Sequence, residues 1–281
     1  MSIHRICHLG ISGGKDSTAA LLWLVKESGT PHDKIRVTFC DTGNEHQITY
    51  DYIAMLSRDV FPIETIKPPL DFYELAKKKG RFPSVKARFC TQELKIFPSQ
   101  RYVLSLMRDG AKVLLLTGVR ASESAKRADL PEFEWDSFYA CDMYRPLLHW
   151  SLDDVWAMLA KYGVPRNPLY DYGAKRVGCL PCIMSRKSEI RMIAKNFPER
   201  IDVIRKAEIE TETGRVSTFY SRKYVPLTHR SREIVAKDGD AMRVPTIDDV
   251  VSWSQTARGG KQYDFDFDEP MMCSSNLGMC E

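Results

Sequence analysis

The stretch that most restricts this chain is "HLGISGGKDSTAALLWLV", residues 8–25. A β-prone run over 6–11 breaks at Ser12-Gly13-Gly14-Lys15-Asp16-Ser17, and an apolar helical pattern over 18–26 follows at once. A helix that is apolar on nearly all sides must be buried, so the strand before it and the turn between them lie inside a larger layered fold. The turn has the chemistry of an anion cradle. Its glycines allow exposed N–H groups in a tight loop, the helix start adds positive potential, and Lys15 supplies a mobile charge. It matches neither the G-x-x-x-x-G-K-[ST] phosphate loop nor the G-x-G-x-x-G dinucleotide fingerprint.

The same unit recurs downstream. A strand over 35–40 ends in Asp41-Thr42-Gly43-Asn44 and a helix over 47–58 follows. Then come a strand at 63–66, a helix at 72–79, a basic loop at 80–88 and a helix over 91–109. "VLLLTGVRASESAKRA" contains a buried strand at 113–116 that opens into a polar loop. Strand, loop and helix in alternation predict an α/β fold: a twisted, mostly parallel sheet with helices on both faces. Polar residues collect after strands one, two and four, so three loops should face one crevice. Ser151 and Asp154 form a capping-box pattern for a helix stopped by Gly163 and Pro165. Basic helical stretches occupy 186–206, regularity fades after Thr211, and the chain ends in an acidic aromatic run, "YDFDFDEP", and "MMCSSNLGMCE". The expected organisation is a nucleotide-binding domain over 1–185 and a smaller helical and irregular region over 186–281.

A net charge of +4 in 281 residues excludes a general polycation. Polyanion binding would need a local patch, and "KKKGRFPSVKARF" (77–89) and residues 186–206 are the two candidates for a nucleic-acid substrate. No run approaches the roughly 18 to 20 apolar residues of a membrane span, and the N-terminal residues lack a secretory h-region. The expectation is a cytoplasmic protein without a membrane partner. Its eight cysteines would then be mostly reduced, which favours metal or redox chemistry for a spaced subset. Cys7, Cys40 and Cys141, among apolar neighbours, are expected in the core.

The segments ISGGKDSTAAL, FCDTGNEH, RFCTQELKIFP, TGVRASESAKRA, YRPLLHWSLDDVW and NPLYDYGAKRVGCLPC together resemble the PP-loop adenine nucleotide α-hydrolases, and within them the phosphoadenosine phosphosulfate (PAPS) reductase branch. The resemblance implies an adenine nucleotide with its phosphate end on Ser12, Gly13, Gly14, Lys15, Asp16 and Ser17. It places Asp41, Thr42 and Gly43 near the adenosine, where a carboxylate accepts from ribose hydroxyls. Gly118, Arg120, Glu123, Ser124 and Arg127 match the third loop. There the arginines neutralise phosphate or sulfate, and Glu123 orients an arginine or helps to hold Mg²⁺.

Cys179-Leu-Pro-Cys182 by itself suits a redox dithiol, half a zinc site or half an iron–sulfur site. Cys90 resembles the first of two adjacent cysteines in cluster-bearing members, with Thr91 in place of the second, while the tail carries Cys273 and Cys280. The resemblance therefore implies a [4Fe-4S] cluster on Cys90, Cys179, Cys182 and one tail cysteine, or on Cys179, Cys182, Cys273 and Cys280. Zinc is the alternative.

For the reaction, the leading expectation is ATP with Mg²⁺ adenylating a substrate and releasing pyrophosphate, for sulfur transfer from a sulfur donor. Lys15 and Arg120 would stabilise the phosphate charge. The alternative is a sulfonucleotide (APS or PAPS) reductase served by a thioredoxin-like reductant, with Cys280 as the displaced nucleophile. A non-catalytic nucleotide-binding module is the second alternative, and a homodimer is an assembly open to all three.

Overall fold

A computed structural model of the chain describes residues 5–108, 110–212, 216–235 and 239–257. Strand β1 (Arg5–Ile11) runs into the glycine turn, and helix α1 (Lys15–Leu22) begins three residues earlier than apolar periodicity predicts. The reason is local. The carbonyl of Gly14 accepts from the Thr18 amide at 2.9 Å and from the Ser17 hydroxyl at 3.1 Å, so the polar residues 15–17 form the first helical turn. The helix continues as a π-type turn, Trp23–Glu27.

After β2 (Ile35–Cys40), α2 (Gln47–Asp59), β3 (Glu64–Ile66) and α3 (Phe72–Lys79), a contiguous helical run leads to the next strand. That run is α4 (Phe89–Thr91), a π segment (Gln92–Ile96) and α5 (Phe97–Arg108). Then come β4 (Lys112–Leu116), the short α6 (Ala125–Ala128), β5 (Phe133–Asp136), β6 (Cys141–Tyr144) and α7 (Leu152–Lys161). Helix α7 carries the predicted capping box, with the Asp154 amide donating to Ser151 Oγ at 3.1 Å.

The six strands form one sheet in the order β3-β2-β1-β4-β6-β5. All neighbours are parallel except β5, which pairs antiparallel with β6 at the edge. Strand order reverses between β1 and β4, which is where an open α/β sheet forms a ligand crevice. Strands β5 and β6 were not anticipated. Each is four residues long with charged positions interleaved, too short to establish a period.

Helices cover both faces. Leu9, Val37 and the apolar side of α1 pack with Leu56 of α2 and Val155 and Leu159 of α7; on the opposite face Val113, Leu115 and Met143 meet Val103 of α5. Cys7, Cys40 and Cys141 are core residues as expected, and burial pushes the Cys40 and Cys141 thiols up to about 12 and about 11.

The basic stretch beyond residue 186 is two amphipathic helices, α8 (Lys187–Asn196) and α9 (Pro198–Glu210). The weakly patterned region after them contains a hairpin, β7 (Arg232–Val235) with β8 (Ala241–Val244), and α10 (Ile247–Ser254). A third core joins these elements to earlier ones: Ile193, Ile204 and Trp253 pack with Leu75 of α3, Phe82 and Leu94. Residues on both sides of position 185 thus share one interior. Among the described residues no helix is long and apolar enough to cross a membrane.

Candidate functional site

The turn after β1 is closed by its own side chains. Gly13 has φ +79°, and a Cβ there would lie 3.2 Å from Thr49 Cγ2. The Gly14 amide donates to Ser12 Oγ at 3.3 Å, and the hydroxyls of Ser12 and Ser17 are 3.2 Å apart. Asn167 Nδ2 donates to the Gly13 carbonyl at 3.2 Å, and the Lys15 amide donates to Tyr170 Oη at 3.0 Å. A segment 154–155 residues away thereby holds the loop.

Asp16 is fully buried and joins the first and third loops. Its Oδ2 lies 2.6 Å from Lys15 Nζ, and its Oδ1 accepts from Arg120 Nε at 2.5 Å. The carboxylate therefore fixes two cations side by side instead of facing a bound anion itself. This contact requires close backbone approach. A Cβ on Gly118 would sit 3.0 Å from the Asp16 carbonyl oxygen, so any larger residue would press the loop after β4 away from α1 by a few tenths of an ångström. Farther along, Glu123 accepts from the Arg120 amide at 3.0 Å and pairs with Arg127. Arg127 Nη2 is buried and has no hydrogen-bond partner among the described residues. Ser124 caps α6.

The second loop is folded on a carboxylate that sequence reasoning missed. Glu45, buried, accepts from the Thr42 amide at 3.0 Å and the Thr42 hydroxyl at 2.8 Å. Asp41 accepts from Tyr50 Oη at 2.7 Å and from the Gly43 amide at 3.0 Å; burial first, and then this bond, push the Tyr50 phenol up. Asn44 ties the loop to the cysteine turn. Its side-chain amide donates to the Pro181 carbonyl at 2.8 Å, its carbonyl oxygen accepts from Arg200 Nη2 at 2.8 Å, and its backbone carbonyl accepts from the Leu180 amide at 2.8 Å.

Cys90, Cys179 and Cys182 line one cavity of about 600 Å³ including its open mouth. Arg88, Lys95 and Arg176 line it too, and neither Asp nor Glu does. Cys179 Sγ is 3.5 Å from Thr42 Oγ1 and 3.6 Å from Glu45 Oε1, and burial pushes this thiol well above the usual range. Lys95 sits in the π segment, its side chain buried and its Nζ 4.0 Å from Glu45. It also lines a smaller cavity against Ser12 and Gly178, which adjoins the anion loop. Among the described residues, no three His, Cys, Asp or Glu side chains gather at a single metal-ion position. Cys273 and Cys280 lie outside the described residues.

Glu45, Lys95, Asn44 and Tyr170 all lie inside segments that carry the family resemblance. The signal was available as polar residues at otherwise buried places, but no local rule assigns them partners. The nucleic-acid candidates fare differently. Phe82 and Phe89 of the 77–89 stretch are buried, with Lys79 and Arg81 stacked over Phe89 at 5.9 and 5.6 Å, so its rings are not presented for base stacking. In α8 and α9, Arg200 is spent on Asn44 and Leu180, and Arg205 on Asp202 and Asp248.

Residues 6–185 match the family model described as the phosphoadenosine phosphosulfate reductase domain. An uncharacterized 37.8 kDa protein of Escherichia phage 186 is 33% identical over 330 residues, covering 97% of this chain and 96% of that protein. An adenosine 5'-phosphosulfate reductase of Allochromatium vinosum is 34% identical over 154 residues, 53% of this chain and 58% of its own length. This chain thus spans little more than half of that reductase. Among solved structures, a phosphoadenylyl-sulfate (PAPS) reductase from Candida auris aligns at 24% identity over 63% of this chain and 82% of that chain, with a TM-score of 0.49.

Proposed function

Because the chain belongs to the phosphoadenosine phosphosulfate reductase domain family, we propose that its crevice binds a sulfonucleotide, APS or PAPS, and that a cysteine thiolate removes the sulfo group for release as sulfite. One observation carries this reading. Lys95 and Gly178 line both the small cavity against Ser12 and the larger cavity of Cys90, Cys179 and Cys182, so an anion held by the loop abuts sulfur-bearing side chains.

In the proposed reaction the Cys280 thiolate attacks the sulfur of the sulfo group. A sulfur–sulfur bond forms, the sulfur–oxygen bond to phosphate breaks, and AMP or its 3'-phosphate leaves with the electron pair. A dithiol protein of the thioredoxin type then attacks the Cys280 sulfur, releasing sulfite and ending as a disulfide. Lys15 and Arg120 stabilise charge on the departing phosphate, and their pairing with Asp16 holds them in place beforehand. Arg127 Nη2, buried without a partner among the described residues, would donate to a phosphate or sulfate oxygen.

To the thiol-lined cavity we assign a [4Fe-4S] cluster, which Cys90, Cys179, Cys182 and one tail cysteine, Cys273, would hold. Its walls carry three thiols and three cations, which complement the negative charge of a thiolate-ligated cluster. Thiols spread over a cavity suit a four-iron group better than zinc, which draws its donors to one point. When bound, the cluster would cross-link the α4 segment to the Cys179–Cys182 turn and add redox-capable iron there.

Adenylation of a substrate by ATP with Mg²⁺ becomes the second reading. It is favoured by the intact Ser12–Ser17 spelling and by the absence of a histidine beside Cys280. Anaerobic protein incubated with APS, with PAPS plus thioredoxin, and with ATP and Mg²⁺ tests both. Sulfite is the expected product; pyrophosphate without sulfite transfers the assignment to adenylation, and neither product leaves a nucleotide-binding module.

A further inference from the structure

Three neighbouring cavities on the third core share lining residues and are taken together as one cleft. Ile183 lines the cysteine cavity and two others. One of these, of about 380 Å³, is bordered by Lys187, Tyr224 and Trp253; the other, about 790 Å³ including its mouth, is bordered by Phe82, Phe219 and Arg222. Across all three the charged lining residues are Arg88, Lys95, Arg176, Lys187 and Arg222, with no carboxylate among them; behind the lining Lys95 meets Glu45 and Arg176 meets Glu189. The floor is apolar and aromatic.

The described chain ends at this cleft. Trp253 of α10 lines it, Lys187 Nζ lies 5.0 Å above that ring, and the same ammonium donates to the Thr256 carbonyl at 2.7 Å. Residues 263–270, Tyr-Asp-Phe-Asp-Phe-Asp-Glu-Pro, begin six positions beyond Ala257. Six residues span at most about 20 Å. Within that segment aromatic and acidic residues alternate, so an extended strand would present rings on one side and carboxylates on the other.

We propose that residues 263–270 of this same chain occupy the cleft, their rings on its apolar floor and their carboxylates toward Lys187, Arg222 and Arg88. Charge, hydrophobic character and point of departure all agree. A nucleic acid would also meet the cations and stack bases on the rings, but it must first displace a tethered competitor at high effective concentration. Cys273 follows three residues after Pro270, about 10 Å of chain, so seating the segment brings it toward Cys90, Cys179 and Cys182. This last step rests on the proposed ligation by Cys273; the docking itself does not.

Carbodiimide coupling of carboxylates to amines in the full-length protein, read by peptide mass spectrometry, tests the docking without assaying activity. The expected product joins the 263–270 peptide to Lys187 within one molecule. It should fall at least about tenfold in the Y263S/F265S/F267S variant, which keeps all four coupling carboxylates and every cleft residue. Coupling mainly to lysines remote from the cleft, such as Lys126 or Lys161, overturns the proposal, as does coupling between ¹⁵N-labelled and unlabelled chains at the intramolecular rate. A single-stranded oligonucleotide bound through Arg222 as tightly by the full chain as by a chain ending at Ala257 also overturns it. Loss of sulfite formation with the cross-link intact would count against the reductase and not against the docking.

Discussion

The anion loop and the cysteine cavity are built on opposite plans. In the loop, charge is balanced within a few residues: Asp16 lies between Lys15 and Arg120, and Glu123 pairs with Arg127. In the cavity, residues from 42, 88–95 and 176–184 meet, and the lining charges are all positive. The loop's carboxylates are paired within it, and Arg127 Nη2 keeps a buried donor without a partner among the described residues. The cavity's cations are met from behind its lining, Lys95 by Glu45 at 4.0 Å and Arg176 by Glu189 at 3.7 Å, and its walls depend on contacts such as Asn44 to Pro181 that cross the fold.

The sharpest break of the comparison should come from Cys182→Ser. On the proposed ligation, iron in anaerobically purified protein is expected to drop by most of its content while nucleotide affinity changes less than about threefold, because only the cavity would lose a ligand. Equal loss of both properties in titration and iron assays would mean that the regions are not separable. Next in size, Asp16→Asn leaves two buried cations facing a neutral group. Stability should fall by about 3–5 kcal/mol in urea unfolding, and nucleotide affinity with it.

The third core offers a pH test that the loop does not. Glu208, buried in α9, accepts from the amides of Phe219 at 2.9 Å and Ile247 at 3.0 Å, and burial pushes its carboxyl up to about 7. The folded chain then holds a proton that the unfolded chain releases between about pH 4.5 and 7, so this group makes stability decline as pH rises through that window. The decline is roughly 3 kcal/mol at most. The difference in unfolding free energy between wild type and Glu208→Gln should change between pH 5 and pH 8 by up to that amount; a constant difference would remove the role. Smallest is Gly118→Ala, expected to cost about 1–3 kcal/mol by pressing a methyl group on the Asp16 backbone. If it weakens nucleotide binding while iron content is kept, the loop and the cavity remain distinct.

Much of this was legible before any coordinates. Four of the six strands follow from short apolar runs bounded by turn residues, and the capping box of α7 follows from Ser151 and Asp154. Strands β5 and β6 escaped because Glu134 and Asp142 interrupt them, and they are strands because β4 offers an edge to pair with. At the site, Lys15, Arg120, Cys90, Cys179 and Cys182 were chosen from the sequence and line adjoining loops and cavities, while Asp16, chosen as part of the cradle, pairs with Lys15 and Arg120. Glu45 and Lys95 were not chosen at all, since a lone acid and a lone base 50 residues apart carry no sign of being neighbours.

The amino-acid order alone determined the local devices: a glycine turn before a buried helix, a capping box, a pair of cysteines two residues apart. These depend on groups within a few bonds of one another, where backbone sterics and hydrogen bonding act without help. Only the tertiary structure decided which devices share a crevice. The strand order reverses between β1 and β4, so that Gly118 lies against Asp16, and a core joining α3 to α8, α9 and α10 carries Cys179 and Cys182 to the loop after β2. Such contacts are selected by burial, which is set by the packing of the whole chain and not by the spacing of any pair within it.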